Sequence, residues 1–415
     1  MPFVISGEIP SFTNALFETI SGFTTTGASI LSDVESMSHG MMLWRCFTHW
    51  IGGMGVLVFL LAIIPMNSAS GSNMNLMKAE SPGPSVGKLV PRLKHTARIL
   101  YVIYFGMTVL EVIFLMFGHM SLFDALCTAF GTAGTGGFGI KNDSFGSFSP
   151  YIQWVVTVFM ILFGVNFNFY YFVLFRNIRK ALSMEEVRTY LLIILGAITI
   201  ITLSLMQTMA NIGDAIRHAA FQVASIITTT GYASADFDQW SQTCKTVLVI
   251  LMFVGACAGS TGGGMKVSRL VIMFKTVVKE LSSYFHPKNI KKINMDGKPV
   301  EHEVVRAVNV YFITLMGIFT LSVFLVSLEG RDLVTNFTAV ASCLNNIGPG
   351  LSEVGPTRNF GGLTGFTKYV LMFDMLAGRL ELFPLLLIFN PGVYRDMIMG
   401  AWRGIKRRRQ ERRAN

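Results

Sequence analysis

Apolar residues are concentrated in seven long stretches, which polar or charged connections separate. The stretches are 50–77 (with its apolar part ending near Met66), 99–118, 151–175, 189–213, 246–265, 307–328 and 369–389. Charged residues are absent from five of them; 99–118 carries Glu111, and 369–389 carries Asp374, Arg379 and Glu381. Each stretch has about the 20 residues that a helix needs to cross a bilayer. The pattern predicts an all-α integral membrane protein.

A glycine-containing motif occurs four times between these stretches, at a spacing of roughly 100 residues. The copies are loop 1 (23–28, FTTTGA), loop 2 (132–138, TAGTGGF), loop 3 (227–232, ITTTGY) and loop 4 (344–349, LNNIGP). We take Gly27, Gly136, Gly231 and Gly348 as equivalent positions. A short amphipathic run precedes each copy (11–21, 121–130, 212–226 and 331–344), and a long apolar stretch follows it. This arrangement predicts four loops around one axis.

Loops of this composition suit a monovalent cation that has lost its hydration water. Backbone carbonyls replace that water when they point inward, and glycine permits the positive φ that turns a carbonyl toward the axis. The short helix directs its partly negative C-terminal end at the ion. The predicted filter residues are Thr25, Thr26, Gly27, Gly134, Thr135, Gly136, Thr229, Thr230, Gly231, Asn346, Ile347 and Gly348. A single copy is equally well interpreted as an ordinary loop, so the prediction depends on four copies in matched context.

The composition agrees with a membrane protein. Hydrophobic residues make up 52% of the chain and charged residues 14%, and the mean hydropathy is +0.52. The net charge of +10 comes from basic residues within 78–98, 176–188, 266–298 and 403–413, whereas the segments flanking the glycine motifs have fewer Lys and Arg residues and carry carboxylates. By the positive-inside rule, the motifs open outward and the basic connections face the cytoplasm. The basic tail is interpreted as a membrane-surface or partner contact, with RNA binding as the weaker alternative.

The stretches and motifs divide the chain into repeats of helix, pore loop and helix (M1–P–M2). We predict repeat 1 at 1–66, a cytoplasmic connection at 67–97, repeat 2 at 98–180, repeat 3 at 181–280, a second connection at 281–302, repeat 4 at 303–392 and a basic tail at 393–415. Repeat 1 lacks its M1, which we interpret as a truncated gene model or a late-assigned start. Two crossings per repeat give all repeats the same orientation, unlike the inverted halves of many secondary carriers.

A glycine-rich run, here called the interrupting segment (255–264, GACAGSTGGG), lies inside an otherwise apolar stretch. Its predicted functional residues are Gly255, Gly259, Ser260, Thr261, Gly262, Gly263 and Gly264. Non-helical backbone at membrane depth is tolerated only inside protein or along a wet cavity, so a movable loop across the conduction path is one interpretation. The alternative is a glycine-lined helix contact. A phosphate-binding loop is rejected because Met265 breaks the Gly-Lys-Ser/Thr spacing.

Polar groups within other apolar stretches have two interpretations each. Arg379 must face protein or a wet cavity, because its charge is costly in lipid. It either faces the interrupting segment as part of a gate or pairs with Asp374 or Glu381 to orient helices. Asn166 and Asn168 either line the pore or form a helix–helix hydrogen bond. The five cysteines show no paired spacing and are interpreted as packing residues.

The motifs resemble those of the Trk/Ktr/HKT superfamily of potassium transporters, and of Trk-type (TrkH/TrkG-like) membrane subunits in particular. The stretches that carry the resemblance are 21–28 (SGFTTTGA), 257–266 (CAGSTGGGMK) and 344–350 (LNNIGPG), and it extends over about residues 10–400. It implies four M1–P–M2 repeats around one pore in each subunit of a homodimer. It also implies K⁺ uptake into a bacterial cell through the filter glycines, with the interrupting segment and Arg379 as the gate.

The same resemblance implies a cytoplasmic nucleotide-binding regulatory partner, similar to TrkA, so that a nucleotide acts only through that partner. No covalent cofactor and no nucleic-acid partner are expected. Two departures stand out. Trk-type subunits normally have two further N-terminal helices and the first M1. Loop 2 is unusually rich in glycine, which leaves its register open by a residue or two. The competing functions are a carrier of a small organic solute that binds at a broken helix and, more remotely, an intramembrane enzyme using Ser260.

Overall fold

The computed structural model describes residues 2–55, 93–285 and 292–380. Within these ranges the regular structure is helical, apart from one antiparallel hairpin in which β1 (Asn294–Met295) pairs with β2 (Lys298–Pro299). The prediction of an all-α protein is confirmed for this part of the chain. Predictions for 56–92, Glu381 and the basic tail lie outside the described residues.

The helices are α1 (Pro2–Ile5), α2 (Phe12–Phe23), α3 (His39–Met54), α4 (Leu93–Phe117), α5 (Leu122–Ala133), α6 (Pro150–Phe163), α7 (Phe167–Leu174), α8 (Ile178–Leu182), α9 (Glu185–Leu205), α10 (Ile212–Ile227), α11 (Gln242–Val254), α12 (Val267–Phe285), α13 (His302–Ser327), α14 (Leu333–Leu344) and α15 (Gly365–Arg379). Two short 3₁₀ turns, Phe237–Gln239 and Ser352–Val354, follow loops 3 and 4.

Within the described ranges, three helices have the length and apolar character needed to cross a membrane: α4, α9 and α13. They correspond to the predicted stretches 99–118, 189–213 and 307–328. Large apolar side chains on their outer faces are exposed: Phe105 by 54%, Leu192 by 69% and Ile313 by 70%. Apolar surface of this extent is stable against lipid rather than water.

Four short helices, α2, α5, α10 and α14, lead into loops 1–4. At 12 to 16 residues and about 1.5 Å per residue, they are too short to cross a bilayer. Side-chain oxygens of Ser121, Asn211 and Asp332 accept hydrogen bonds from the first turns of α5, α10 and α14. These caps satisfy backbone donors that a helix start leaves open.

Four inner helices, α3, α6, α11 and α15, follow loops 1–4. Each begins at a hydroxyl cap, in which Ser38, Ser149, Ser241 or Thr364 accepts from the backbone N–H three residues later. Two of them end before a glycine with positive φ. Helix α3 ends at Met54, before Gly55 (φ 76°). Helix α11 ends at Val254 before Gly255 (φ 72°).

The stretch 151–175 is not one spanning helix, so that prediction is wrong. Helices α6 and α7 meet at 91° across a break at 164–166. The Oδ1 atom of Asn166 accepts from Asn168 N (2.9 Å), and its Nδ2 donates to Glu186 of α9 (3.2 Å). An asparagine that caps the second helix makes the bend stable. Of the two interpretations of Asn166, the contacts show the helix–helix hydrogen bond.

The largest apolar core lies where α9, α10, α11, α13, α14 and α15 pack together. Fully buried members include Ile201, Val223 and Leu248. All five cysteines are buried with free thiols, as expected for packing residues.

Candidate functional site

Each short helix ends in the same hydrogen-bond pattern, which directs the chain into its loop. Two consecutive backbone N–H groups bond back to carbonyls three and five residues earlier. The bonds are Thr25 N to Gly22 O (3.1 Å) and Thr26 N to Ser21 O (2.9 Å); Thr135 N to Thr132 O (2.9 Å) and Gly136 N to Gly131 O (2.9 Å); Thr229 N to Ile226 O (3.1 Å) and Thr230 N to Ser225 O (2.8 Å); Asn346 N to Cys343 O (3.2 Å) and Ile347 N to Ser342 O (2.9 Å). This pattern is the Schellman motif, which needs one residue in the left-handed conformation.

That left-handed position, usually glycine, is occupied by another residue in all four loops. The residues are Thr25 (φ 54°), Thr135 (φ 51°), Thr229 (φ 60°) and Asn346 (φ 55°). A threonine in this region costs on the order of 1–3 kcal/mol, and such strain is concentrated at functional sites. The sequence analysis named these residues for the filter but assigned positive φ to glycines alone, so it missed their left-handed conformation. Only Asn346 carried a signal, because asparagine tolerates the left-handed region.

The glycine two residues further on also has a positive φ in every loop. These glycines are Gly27 (80°), Gly137 (79°), Gly231 (85°) and Gly348 (104°). In loop 2 the equivalent of Gly27 is therefore Gly137 rather than the predicted Gly136, and Gly134 is the C-cap of α5. The predicted register is off by one residue. Adjacent glycines are equally permissive, so only the helix-end hydrogen bonds distinguish them.

The four loops contact one another in a closed ring. A Cβ atom added to each of these glycines would meet a carbonyl oxygen of the next loop: Gly27 with Gly136 O (2.0 Å), Gly137 with Thr230 O (1.9 Å), Gly231 with Ile347 O (1.9 Å) and Gly348 with Thr26 O (2.8 Å). The last contact returns to loop 1. Consecutive loops are thus spatial neighbours. At each contact a carbonyl of one loop occupies the space that a side chain on the neighbouring glycine would need.

Polar side chains tie loops 1, 3 and 4 from behind. Thr24 and Thr26 share a hydrogen bond between their hydroxyls (2.8 Å), as do Thr228 and Thr230 (2.7 Å). The Nδ2 atom of Asn346 donates to Thr26 Oγ1 (2.9 Å), which joins loop 4 to loop 1. These threonine hydroxyls fasten the loops from behind.

Loop 2 has no such hydroxyl pair, and a histidine from α3 lies behind it instead. The fully buried His49 stacks on Phe138 with ring centroids 4.0 Å apart. Its Nδ1 accepts from Phe138 N (3.5 Å). A Cβ atom on Gly136 would lie 2.2 Å from this ring, so Gly136 makes room for the histidine. The sequence analysis missed His49; its only signal was a polar residue in an apolar helix.

A buried ion pair joins the segments that follow loops 1 and 2, and its arginine lies over the ring of Phe138 (3.6 Å from Cζ to the ring centroid). Arg45 of α3 and Glu18 of α2 lie 2.7 Å apart, with side chains 3% and 0% exposed. Arg45 also donates to Gly139 O (3.1 Å), and Glu18 accepts from Ile30 N (3.0 Å). Buried charges are tolerated when they are paired and hydrogen-bonded in this way. The pair was not predicted from the sequence.

The interrupting segment lies directly against loops 3 and 4. Gly263 N donates to Thr229 Oγ1 (2.6 Å). A Cβ on Gly262 would lie 2.8 Å from Thr228 O, and one on Gly263 2.8 Å from Asn345 O. Gly255, Gly259 and Gly264 have φ values of 72°, 68° and 73°. Ser260 bonds back to Cys257 O (2.6 Å). The glycines are needed for this close approach of backbone to backbone.

Arg379 lies at the end of α15 and faces the interrupting segment. Its Nη1 donates to Thr261 O (2.8 Å), and its Nη2 donates to Gly53 O (3.0 Å) and Gly52 O at the end of α3. Asp374 accepts a hydrogen bond from Ser322 Oγ (2.7 Å), and Glu381 lies outside the described residues. The contacts place the guanidinium between the segment and α3.

At the predicted outer side, hydrogen bonds from Asn142 join the segment after loop 2 to the segment after loop 1. Asn142 Nδ2 donates to Asp33 Oδ1 (2.8 Å), and Asn142 Oδ1 accepts from Val34 N (2.8 Å). The hydrogen bond from Asn142 holds the pKa of Asp33 below its ordinary value. A hydrogen bond from Thr335 likewise lowers the pKa of Asp332, the cap of α14. Both carboxylates are therefore charged at neutral pH.

Comparison with known proteins identifies the chain's relatives. A family model described as TrkH, a cation transport protein, matches residues 2–398. The Trk system potassium uptake protein TrkH of Salmonella typhimurium is 35% identical over 95% of this chain and 82% of its own length. TrkG of Escherichia coli K12 is 34% identical over the same shares. The crystal structure of the potassium transporter TrkH from Vibrio parahaemolyticus matches with a TM-score of 0.80 at 32% identity, over 92% of this chain and 79% of that one.

Helices long enough to cross a membrane, together with this family match, define an integral membrane cation transport protein. The chain belongs to the TrkH family. The resemblance drawn from the motifs is confirmed, and so is the expectation of a transport protein rather than an enzyme.

Proposed function

We propose that this protein takes up K⁺ across the cell membrane through the ring formed by loops 1–4. The observation that carries the proposal is the closed ring, in which each loop's glycine abuts a carbonyl of the next loop. Main-chain carbonyls are the groups that replace the hydration shell of K⁺ in selective pores. The named function of the relatives, potassium uptake, supports the same ion.

The proposed filter combines the predicted residues with the corrected register of loop 2. Its positions are Thr25, Thr26 and Gly27; Thr135, Gly136 and Gly137; Thr229, Thr230 and Gly231; Asn346, Ile347 and Gly348. The ends of α2, α5, α10 and α14 lead directly into these positions, so their partly negative C-termini favour a cation. Because the four loops are backed by different side chains, we expect weaker discrimination between K⁺ and Na⁺ than four identical loops would give.

The interrupting segment and Arg379 are proposed as the gate of this pore. The segment contacts loops 3 and 4, and the guanidinium bonds to its carbonyl at Thr261. A fixed positive charge next to the exit from the filter raises the energy of a passing cation. The glycines let the segment shift without steric cost. Opening then requires the segment to withdraw from loops 3 and 4.

The assembly that we propose is a homodimer, and each subunit consists of M1–P–M2 repeats with the boundaries given above. It lies in the bacterial plasma membrane with the filter outward and the basic connections in the cytoplasm. A cytoplasmic nucleotide-binding subunit similar to TrkA would control opening, so a nucleotide would act only through that partner. The distribution of basic residues supports the orientation.

Ion flux into liposomes tests the proposed function. Purified protein is reconstituted, and uptake of K⁺, Na⁺ and choline is measured under matched gradients, with protein-free liposomes as the control. We expect K⁺ to enter fastest, Na⁺ to enter measurably and choline to be excluded. Equal passage of all three cations would remove the selectivity claim. Saturable uptake of an organic solute without K⁺ flux would favour the carrier alternative.

A further inference from the structure

Glu186, at the start of α9, is buried beside the interrupting segment. The residue is 3% exposed. Its Oε1 atom accepts from Ala258 N (2.6 Å) and from Ser268 N (3.1 Å), and its Oε2 accepts from Asn166 Nδ2 (3.2 Å). A carboxylate at membrane depth is costly unless several donors satisfy it. This one is satisfied by N–H groups from three different parts of the chain.

Two of these donors, Ala258 and Ser268, lie on either side of residues 259–264, the second half of the interrupting segment. Ala258 belongs to its first half, and Ser268 follows its end, in the first turn of α12. The N–H groups of a helix's first turn have no intrahelical partner and carry partial positive charge, so they favour a carboxylate. One oxygen atom of Glu186 therefore ties the first half of the segment to the start of α12.

The third donor connects the segment to the bend between α6 and α7. Asn166 caps α7 at this bend, and main-chain bonds run beside it from Cys257 N to Gly164 O (3.0 Å) and from Phe167 N to Gly259 O (3.0 Å). The segment is thereby docked on the broken inner helix of repeat 2 in addition to its contact with Arg379.

We propose that Glu186 is a positioning residue of the gate, whose carboxylate holds the interrupting segment closed against the bend of α6 and α7. This inference rests on the proposed function for its transport consequence. Glu186 acts through the segment, because its carboxylate accepts from Asn166, Ala258 and Ser268, which all lie outside loops 1–4. Its loss should therefore change how often the pore is open without changing which ion is preferred.

The test compares Glu186→Ala, Glu186→Gln and the matched control Glu185→Ala in reconstituted protein without a regulatory partner. Glutamine keeps an oxygen for Ala258 and Ser268 but not the acceptor for Asn166. Glu185 is the adjacent carboxylate and forms a partly exposed ion pair with Lys275, a kind of pair that contributes little. We expect basal K⁺ flux to rise about tenfold in Glu186→Ala, less in Glu186→Gln and not in Glu185→Ala. The K⁺/Na⁺ ratio should stay constant.

A second readout follows the segment itself. Cys257 lies in the segment and is fully buried. In a background whose other four cysteines are replaced by alanine, Glu186→Ala should speed maleimide labelling of Cys257, and Glu186→Gln should restore most of the protection. A general loss of stability would also lower the melting temperature and would not be rescued by glutamine in this graded way.

Unchanged flux and labelling in a folded Glu186→Ala protein would overturn the inference, and so would a fall in flux. If the alanine variant does not survive purification, wild type, Glu186→Gln and Glu186→Asp provide the same graded comparison. If wild-type protein carries no K⁺, the proposed function fails, and the labelling of Cys257 alone decides whether Glu186 holds the segment.

Discussion

The ring of loops 1–4 and the interrupting segment touch each other but are fastened by different means. Each loop is anchored by the carbonyls of its own short helix, three and five residues earlier. The segment is anchored by contacts with distant elements: the side chains of Glu186 in α9 and Arg379 in α15, and two main-chain bonds to the bend of α6 and α7. A loop of the ring cannot move without unwinding its helix end, whereas the segment is released when a few long-range hydrogen bonds break.

This difference separates ion selection from opening. Ion selection needs oxygens at constant distances, which local main-chain bonds provide, and the strained positions at Thr25, Thr135 and Thr229 show how tightly the backbone is determined there. Opening needs an element with two arrangements that differ by a few kcal/mol. A few long-range hydrogen bonds fit that requirement, and mutations of the side chains among them can test the separation directly.

The largest effect is expected from a side chain within the ring. In Gly231→Ala the new Cβ would lie 1.9 Å from Ile347 O at a φ of 85°. Displacing that carbonyl should reduce the K⁺/Na⁺ ratio by roughly tenfold or more, given a strain of about 1–3 kcal/mol, and Gly231→Ser should act in the same direction. Competitive flux in liposomes measures the ratio. The matched control is Gly317→Ala in α13, where a Cβ meets nothing within 4 Å; equal ratios in the two variants would contradict the filter assignment.

Removal of Arg379 should have a large effect on the K⁺ flux and little effect on ion preference. Arg379→Ala removes the hydrogen bonds to Thr261 O and Gly53 O and a positive charge beside the filter. We expect basal K⁺ flux to rise about tenfold, since bonds to a charged group contribute roughly 1.5–3 kcal/mol, with little change in the K⁺/Na⁺ ratio. Arg217→Ala, which breaks the surface pair with Asp214, is the control. A changed ratio at unchanged flux would place Arg379 in selection instead of gating.

A smaller effect on the K⁺/Na⁺ ratio is expected from replacing His49, the side chain behind loop 2. His49→Ala leaves a void next to Gly136 and removes the acceptor for Phe138 N. Because loops 1, 3 and 4 are fastened independently, we expect the K⁺/Na⁺ ratio to fall only about two- to fivefold, with a loss of stability of about 1–3 kcal/mol. Thermal unfolding and competitive flux measure the two quantities. The exposed His39→Ala serves as the control, and a ratio identical to wild type would show that His49 only fills space.

The sequence was informative wherever the relevant signal is local. The lengths of the apolar stretches predicted α4, α9 and α13, and the recurring motif predicted the short helices and loops 1–4. It was misleading where two local signals compete. The apolar stretch 151–175 hid the bend at Asn166, because hydrophobicity sets burial but not whether the backbone continues as a helix. The double glycine in loop 2 hid the register in the same way.

The sequence by itself determined the membrane class, the fourfold motif and the short helices that precede it, because helix length, apolar period and glycine content are properties of neighbouring residues. Tertiary structure decided the order of the loops around the ring, the left-handed threonines and the partners of Glu186, His49 and Arg379. The bond from Arg379 to Gly53 joins residues 326 positions apart. Such contacts form only after the helices have packed, so no pattern within a window of the chain encodes them.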